Sequence, residues 1–166
     1  MTLMKQHYKN MSFERAREKA MRYCSFQERC QLDLTNRFRA WNVEKSNWDK
    51  ILDDLIDENF LNEQRYVEAF VRGKFKMKKW GRNKLKMGLI EKRAYNETQF
   101  NTAFDAEIDP EEYLNTLAEL VGKKSLLITE ADDFKKRDKL YQYMLNKGYE
   151  SELIVKEMNR AGVADE

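Results

Sequence analysis

The sequence predicts an all-α protein, built as an elongated array of three tandem three-helix repeats, and three observations lead there. One proline and six glycines among 166 residues leave little material for the turns of a many-stranded sheet. Trp48, Ile51, Leu52, Leu55 and Ile56 recur at the three- and four-residue steps that place side chains on one face of a helix. Three short runs, Arg39-Ala40-Trp41, Arg93-Ala94-Tyr95 and Lys147-Gly148-Tyr149, begin at 39, 93 and 147, so 54 positions separate each from the next. Each joins a basic residue, a small residue and an aromatic, which suits a sharp turn followed by a side chain that pins the next helix. A period of this length marks a repeat whose units bury their apolar faces against neighbours, and such arrays are extended.

Repeat one, 12–61, opens with a helix from Ser12 to Cys24 whose inward face holds Phe13, Ala16, Ala20, Met21 and Cys24. Ser25 with Glu28 reads as a capping box that starts a second helix reaching about Ala40. Ser46 with Asp49 reads as a similar start for the third. Repeat two, 62–108, begins with Asn62 as N-cap and a face of Tyr66, Ala69, Phe70, Gly73 and Met77. Trp80-Gly81 breaks that helix. The next runs from about Arg82 to Arg93 with Leu85 and Leu89 inward, and Asn96 with Gln99 caps a short third helix bearing Phe100, Ala103 and Phe104.

Repeat three, 109–162, opens at Asp109-Pro110-Glu111-Glu112, an N-cap, a first-turn proline and acids at the positive helix end. Tyr113, Leu117, Leu120 and Val121 form its stripe. A looser stretch follows from Gly122 to Ile128, then Thr129 and Asp132 start a helix bearing Phe134, Tyr141, Met144 and Leu145. The last helix runs from Ser151 to about Ala161 with Ile154 and Met158 inward, and Gly162 ends it.

Composition also narrows function. No apolar run approaches the ~20 residues that span a bilayer, and Met1-Thr2-Leu3-Met4-Lys5 lacks the apolar core of a signal peptide. The expectation is a cytoplasmic protein that avoids membranes. Cys24 and Cys30, with the single His7, lack metal-ligand spacing and read as buried, reduced thiols. There is no glycine-rich phosphate loop, nucleophile elbow or His-Glu helix motif. The acidic pairs Asp53-Asp54 and Asp57-Glu58 lie on the polar face of their helix, where solvated surface is the simpler reading than a metal site. The expectation is a non-enzyme with no cofactor.

Charge is distributed unevenly. Residues 72–93 carry ten basic groups (Arg72, Lys74, Lys76, Lys78, Lys79, Arg82, Lys84, Lys86, Lys92, Arg93) against Glu91 alone, while 97–119 carry seven acids and no Lys or Arg. Arg72, Lys76 and Lys79 recur at i, i+4 and i+7, and Arg82 with Lys86 at i, i+4, so each set can share a helix face. Such density attracts phosphates. Trp80, between the two sets, suits the core better than a stacking platform but could add stacking if exposed. Arg65, Arg72, Lys74, Lys76, Lys79, Trp80, Arg82, Lys84, Lys86 and Arg93 are the candidate contact residues.

The stretch from Leu55-Ile56-Asp57-Glu58-Asn59-Phe60 through Asn62-Glu63-Gln64-Arg65-Tyr66 to Phe70-Val71-Arg72 resembles the signature of the bacterial RecX family of recombination regulators. Trp80-Gly81-Arg82-Asn83-Lys84-Leu85 resembles that family's next block, and Lys139-Leu140-Tyr141 through Lys147-Gly148-Tyr149 its third-repeat block. The resemblance covers almost the whole chain. It departs at Arg93-Ala94, where a glycine turn is usual, and at the first-repeat turn, where Arg39 to Leu52 is 13 residues against 11 from Arg93 to Phe104 and from Lys147 to Met158. It implies a curved, elongated array of three tandem three-helix repeats, and the expectation is a monomer. It also implies binding to the RecA nucleoprotein filament, restraining its assembly, ATP hydrolysis and strand exchange in DNA repair and homologous recombination within the SOS response. Single- or double-stranded DNA would be a weaker, electrostatic partner. The rival reading is a helical DNA-binding protein without direct RecA contact.

Overall fold

A computed structural model describes residues 9–163, and among these it contains nine α-helices. They are α1 (Phe13–Phe26), α2 (Gln31–Ala40), α3 (Trp48–Asp57), α4 (Glu63–Lys78), α5 (Arg82–Glu91), α6 (Glu97–Glu107), α7 (Pro110–Leu127), α8 (Asp133–Lys147) and α9 (Ser151–Arg160). The fold is all-α and repeats in groups of three helices, as the sequence predicts. The segment Met1–Lys5, read for its lack of a signal core, and His7 lie outside the described residues. The chain divides into two compact units: described residues up to Tyr66 with Lys92–Ala94, and Val67–Glu91 with the described residues from Tyr95 onward.

The first unit packs α1, α2 and α3 around Ala16, Ala20, Cys24, Leu34, Phe38, Ile51, Leu52 and Leu55. Ala16 and Ala20, one turn apart and fully buried, leave room for the large side chains opposite. Ser12 caps α1, accepting from the Arg15 N–H at 3.3 Å. The Ser25–Glu28 capping box does not form. Ser25 Oγ donates instead to the Met21 carbonyl at 2.8 Å, which lets α1 run on to Phe26. α2 starts at Gln31 with Cys30 as N-cap, the Cys30 N–H donating to Asp33 at 3.3 Å. The Ser46–Asp49 start is also replaced: a 3₁₀ turn over Lys45–Asn47 leads into α3, and the Trp48 indole N–H donates to the Val43 carbonyl at 3.1 Å.

α4 buries Tyr66 as predicted but is otherwise rotated from its predicted face. Val67, Val71 and Phe75 are buried, whereas Met77 is 84% exposed and Ala69, Phe70 and Gly73 are only half-buried. Both stripes are amphipathic, and the aromatic neighbours decide between them. Phe75 lies 5.9 Å from the Tyr113 ring, which in turn lies 5.4 Å from Phe104 and 5.2 Å from Tyr149. α7 does not loosen at Gly122 but continues to Leu127, a long helix absorbing the ~1 kcal/mol that an interior glycine costs. Thr129 does not open α8. Asp132 does, accepting from the Lys135 N–H at 3.0 Å, and Phe134, expected inward, is 79% exposed.

The equal spacing of the three turn runs is not the structural register. At these turns the left-handed residues are Asn42 (φ 56°), Arg93 (φ 53°) and Gly148 (φ 95°), and each precedes a buried one: Val43, Ala94 or Tyr149. At 42 and 148 the following N–H returns to a carbonyl five residues back, Val43 to Phe38 at 2.8 Å and Tyr149 to Met144 at 3.2 Å. That is the bond closing a Schellman end. Trp41 therefore packs locally on Tyr23 and Phe38, and Tyr95 on Phe100. Tyr149 reaches 70 residues back along the chain, its hydroxyl donating to the Lys79 carbonyl at 2.8 Å.

Candidate functional site

The basic stretch folds into several environments rather than one row. At the α4–α5 joint, two turns interlock through backbone. The Gly81 N–H donates to the Lys147 carbonyl at 2.7 Å and the Asn83 N–H to the Gly148 carbonyl at 2.8 Å. A Cβ at Gly81 would stand 2.5 Å from Gly148 C and Tyr149 N, so only glycine permits this approach. The interlock fixes the start of α5 and hence the direction of every cation on it.

Trp80 sits at this joint half-buried, with Phe70 edge-on at 6.3 Å. Lys74 Nζ stands 5.1 Å and Lys84 Nζ 5.0 Å from its ring centroid. Gly88 closes the cluster, since a Cβ there would come within 2.7 Å of Phe70 and 3.1 Å of Trp80. Two ammonium groups drawn to one half-buried aromatic stand together, where they can meet phosphates or carboxylates. Lys76 and Lys78 are exposed on the last turn of α4. Lys147 Nζ donates to the Lys78 carbonyl at 3.2 Å, which adds a cation from α8 to the same end of α4. Sequence spacing missed Lys147 because it lies 69 residues away.

The other candidates are engaged differently. Arg72 pairs with Glu107 at 2.9 Å, and Lys79, outside α4 in a left-handed conformation, borders an acidic groove with Asp109, Glu111, Glu112 and Glu119. Lys79 therefore leaves the expected Arg72–Lys76–Lys79 row, while Arg72 and Lys76 keep their i, i+4 places on α4. Arg82 and Lys86 do share a face, but it lies over α6. The Arg82 guanidinium is 4.4 Å from the Phe104 centroid and donates to Asn101 at 2.6 Å, and Lys86 stands 5.7 Å from Tyr95. In the first unit Arg65 donates to Glu28 at 2.9 Å and to Asn59 Oδ1 and carbonyl at 2.7 and 2.8 Å. That is a clamp holding the α3–α4 turn. Arg93 belongs to the first unit and is exposed.

No cluster of His, Cys, Asp or Glu suited to a metal occurs among the described residues, and no helix among them is long and apolar enough to cross a membrane. Both thiols are buried and free. Burial pushes Cys24 up to about 11 and raises Cys30 as well, which keeps them as unreactive thiols. Tyr113 accepts from the Arg82 N–H at 2.9 Å and donates to Glu150 at 2.6 Å; burial first, then that carboxylate, raises its pKa far above the ordinary tyrosine range. These buried groups do structural work at the edge of the surface.

Residues 62–93 match the model of the second three-helix domain of RecX, and 111–156 that of the third. The chain is 27% identical over 162 residues to the regulatory protein RecX of Clostridium beijerinckii, covering 93% of this chain and 73% of that one. It is 28% identical to the regulatory protein RecX of Streptococcus uberis, over 86% of this chain and 54% of that one. The crystal structure of RecX from Lactobacillus salivarius superposes with a TM-score of 0.76 at 20% identity, covering 92% of this chain and 97% of that chain. A second crystal structure of a regulatory protein RecX gives the same score at 18% identity, over 88% and 74%. At that identity the structures establish the shared fold.

Proposed function

The chain belongs to the RecX family of regulatory proteins, and on that premise we propose that it binds the RecA nucleoprotein filament and restrains its assembly, ATP hydrolysis and strand exchange. It acts by binding, without catalysis of its own and without a cofactor. The observation that carries the contact surface is the Trp80 cluster, where Lys74 and Lys84 bracket an aromatic held in place by the Gly81–Gly148 interlock. Lys76, Lys78 and Lys147 extend its positive charge along the end of α4. Arg72, Arg82 and Lys86 are engaged in contacts within the fold and contribute less.

Charge supports this reading, because a RecA–DNA filament presents phosphates beside protein, and cations gathered at one half-buried aromatic suit both. The test is RecA's single-strand-DNA-dependent ATPase with and without a variant in which Lys74, Lys76 and Lys84 are all changed to Gln. Glutamine preserves helix propensity, and Lys84→Gln keeps the Cβ that packs beside Gly148. Inhibition should fall sharply at limiting protein while the melting temperature holds. If the three residues meet DNA phosphates, the salt dependence of binding should flatten by a slope of about 2–3. Full inhibition by the folded triple variant would remove this surface from the proposal. Binding to bare DNA as tight as to RecA-coated DNA would favour a DNA-binding protein that acts without touching RecA.

A further inference from the structure

The first unit contains a cavity of about 330 Å³ that the regulatory reading does not use. It opens among the start of α2, the end of α3, the α3–α4 turn and the turn after α5, and Arg29, Cys30, Ile56, Leu61, Glu63 and Arg93 are among its walls. Cys30 and Leu61 are 5% exposed and form an apolar base, while Ile56 at 46% stands open on one side. We infer that this cavity is a docking groove for an acidic peptide segment of a partner protein, which seats one apolar side chain on Ile56 and Leu61 and sets carboxylates against Arg29 and Arg93.

Two features support that occupant. Arg29 is fixed before any ligand arrives: its guanidinium lies 3.8 Å from the Tyr23 ring centroid and its Nε–H donates to the Tyr23 carbonyl at 3.3 Å. A held guanidinium loses less freedom when it meets a carboxylate. Arg93 adopts φ 53°, a conformation that disfavours any residue bearing a Cβ and that glycine would take freely. The turn is anchored on both sides, by the Lys92–Asp33 ion pair at 2.9 Å and by buried Ala94, so the Arg93 side chain is presented at the rim. The strained turn thus holds a cation at the cavity rim.

The chemistry favours peptide over nucleic acid. Two arginines around an apolar base make a short electrostatic contact, whereas a phosphate backbone is tracked by a longer run of cations. Glu63 on the wall opposes any anion, so the peptide's carboxylates must lie on the Arg29 and Arg93 side, and a free inorganic anion would gain nothing from Ile56 and Leu61. At the low end of the ~300–1,000 Å³ seen for binding pockets, the cavity suits one anchoring side chain. The inference stands independently of RecA, because its test uses the protein alone.

The test measures binding of a fluorescein-labelled peptide with a central leucine flanked on both sides by Asp and Glu, by anisotropy on the full chain. The peptide should bind, its Leu-to-Asn analogue should bind more weakly, and Ile56→Asp, at an open position, should weaken it too. Arg93→Gly should cost about tenfold in affinity, the loss of one charge-assisted contact, while the melting temperature stays level or rises because the strained turn relaxes. Arg93→Lys should keep part of the affinity. Absence of peptide binding, equal affinity for Arg93→Gly, or a markedly lower melting temperature for that variant would each overturn the inference. So would a labelled single-stranded oligonucleotide whose affinity falls with Ile56→Asp, since that would assign the groove to nucleic acid.

Discussion

Gly148 in the second unit and Arg93 in the first each hold a left-handed turn after a helix, yet they answer to opposite constraints. A Cβ at Gly148 would lie 2.3 Å from Lys84 Cβ and 2.4 Å from Lys84 N, so that turn is sealed beneath α5 and admits no side chain. The Arg93 turn is open, and its long side chain projects at the surface. Glycine at a helix end can thus satisfy either the backbone dihedral or the space around it, and the two demands separate here. Where space is short only glycine will do. Where only the dihedral is asked for, another residue can stand at a cost of about 1 kcal/mol.

The sharpest challenge to this contrast is Gly148→Ala. Backbone atoms of α5 cannot yield as a flexible side chain would, so stability should fall by about 4 kcal/mol or more, or the second unit should not fold. A urea melt showing a loss near 1 kcal/mol would mean that the dihedral alone governs both turns. Next comes Tyr149, which is fully buried above that turn. Tyr149→Ala should cost roughly 3–5 kcal/mol. Tyr149→Phe, which orphans the Lys79 carbonyl, should cost about 1–2 kcal/mol. Hydrogen exchange should report both losses in α8 and α9 first. A Phe variant as stable as the parent would show that the hydroxyl bond is dispensable.

The smaller effects concern the open turn. Burial opposes ionisation of Asp33, but the Lys92 hydrogen bond and the Cys30 N–H outweigh it and hold its pKa below the ordinary 3.8. A depressed folded pKa stabilises above the unfolded value and is lost as pH falls through the folded one. The first unit should therefore weaken on acidification below about pH 4, by under ~1 kcal/mol because Lys92 is 44% exposed. Lys92→Gln should reduce this acid sensitivity, and a variant with an unchanged acid melt would remove the pair from the turn's support. Smallest of all, Arg93→Gly should shift stability by less than about 1 kcal/mol, strain relief offsetting the added freedom of the unfolded chain. A large loss would close the contrast with Gly148.

Much of this was legible in the residues, and the failures share a cause. Asn62, Asn96 and Asp109 cap their helices as read, because an N-cap is a local bond between a side chain and an N–H two or three residues on. Ser25 obeyed the same local chemistry but bonded backwards to Met21, a choice that spacing to Glu28 cannot reveal. The face of α4 went wrong because Val67, Val71 and Phe75 compete with Phe70 and Met77 for burial, and the rings of α6 and α7 settle it. At the candidate surface, the density of cations was visible along the chain, but their division among Trp80, the α6 rings and Glu107 was not. Trp80 is a near neighbour in sequence, but Glu107 and Phe104 lie tens of residues from the cations they engage.

By itself the sequence determined the helical class, the grouping in threes, most helix ends and the charge asymmetry, since all follow from composition, periodicity and bonds within a turn. The tertiary structure alone decided which glycines are obligatory, which cations remain available, and that Cys30, Ile56 and Arg93 meet around one cavity. The physical reason is range. Propensity and capping act over a few residues, whereas close approach, ion pairing and cavities depend on which distant segments the buried aromatics draw together.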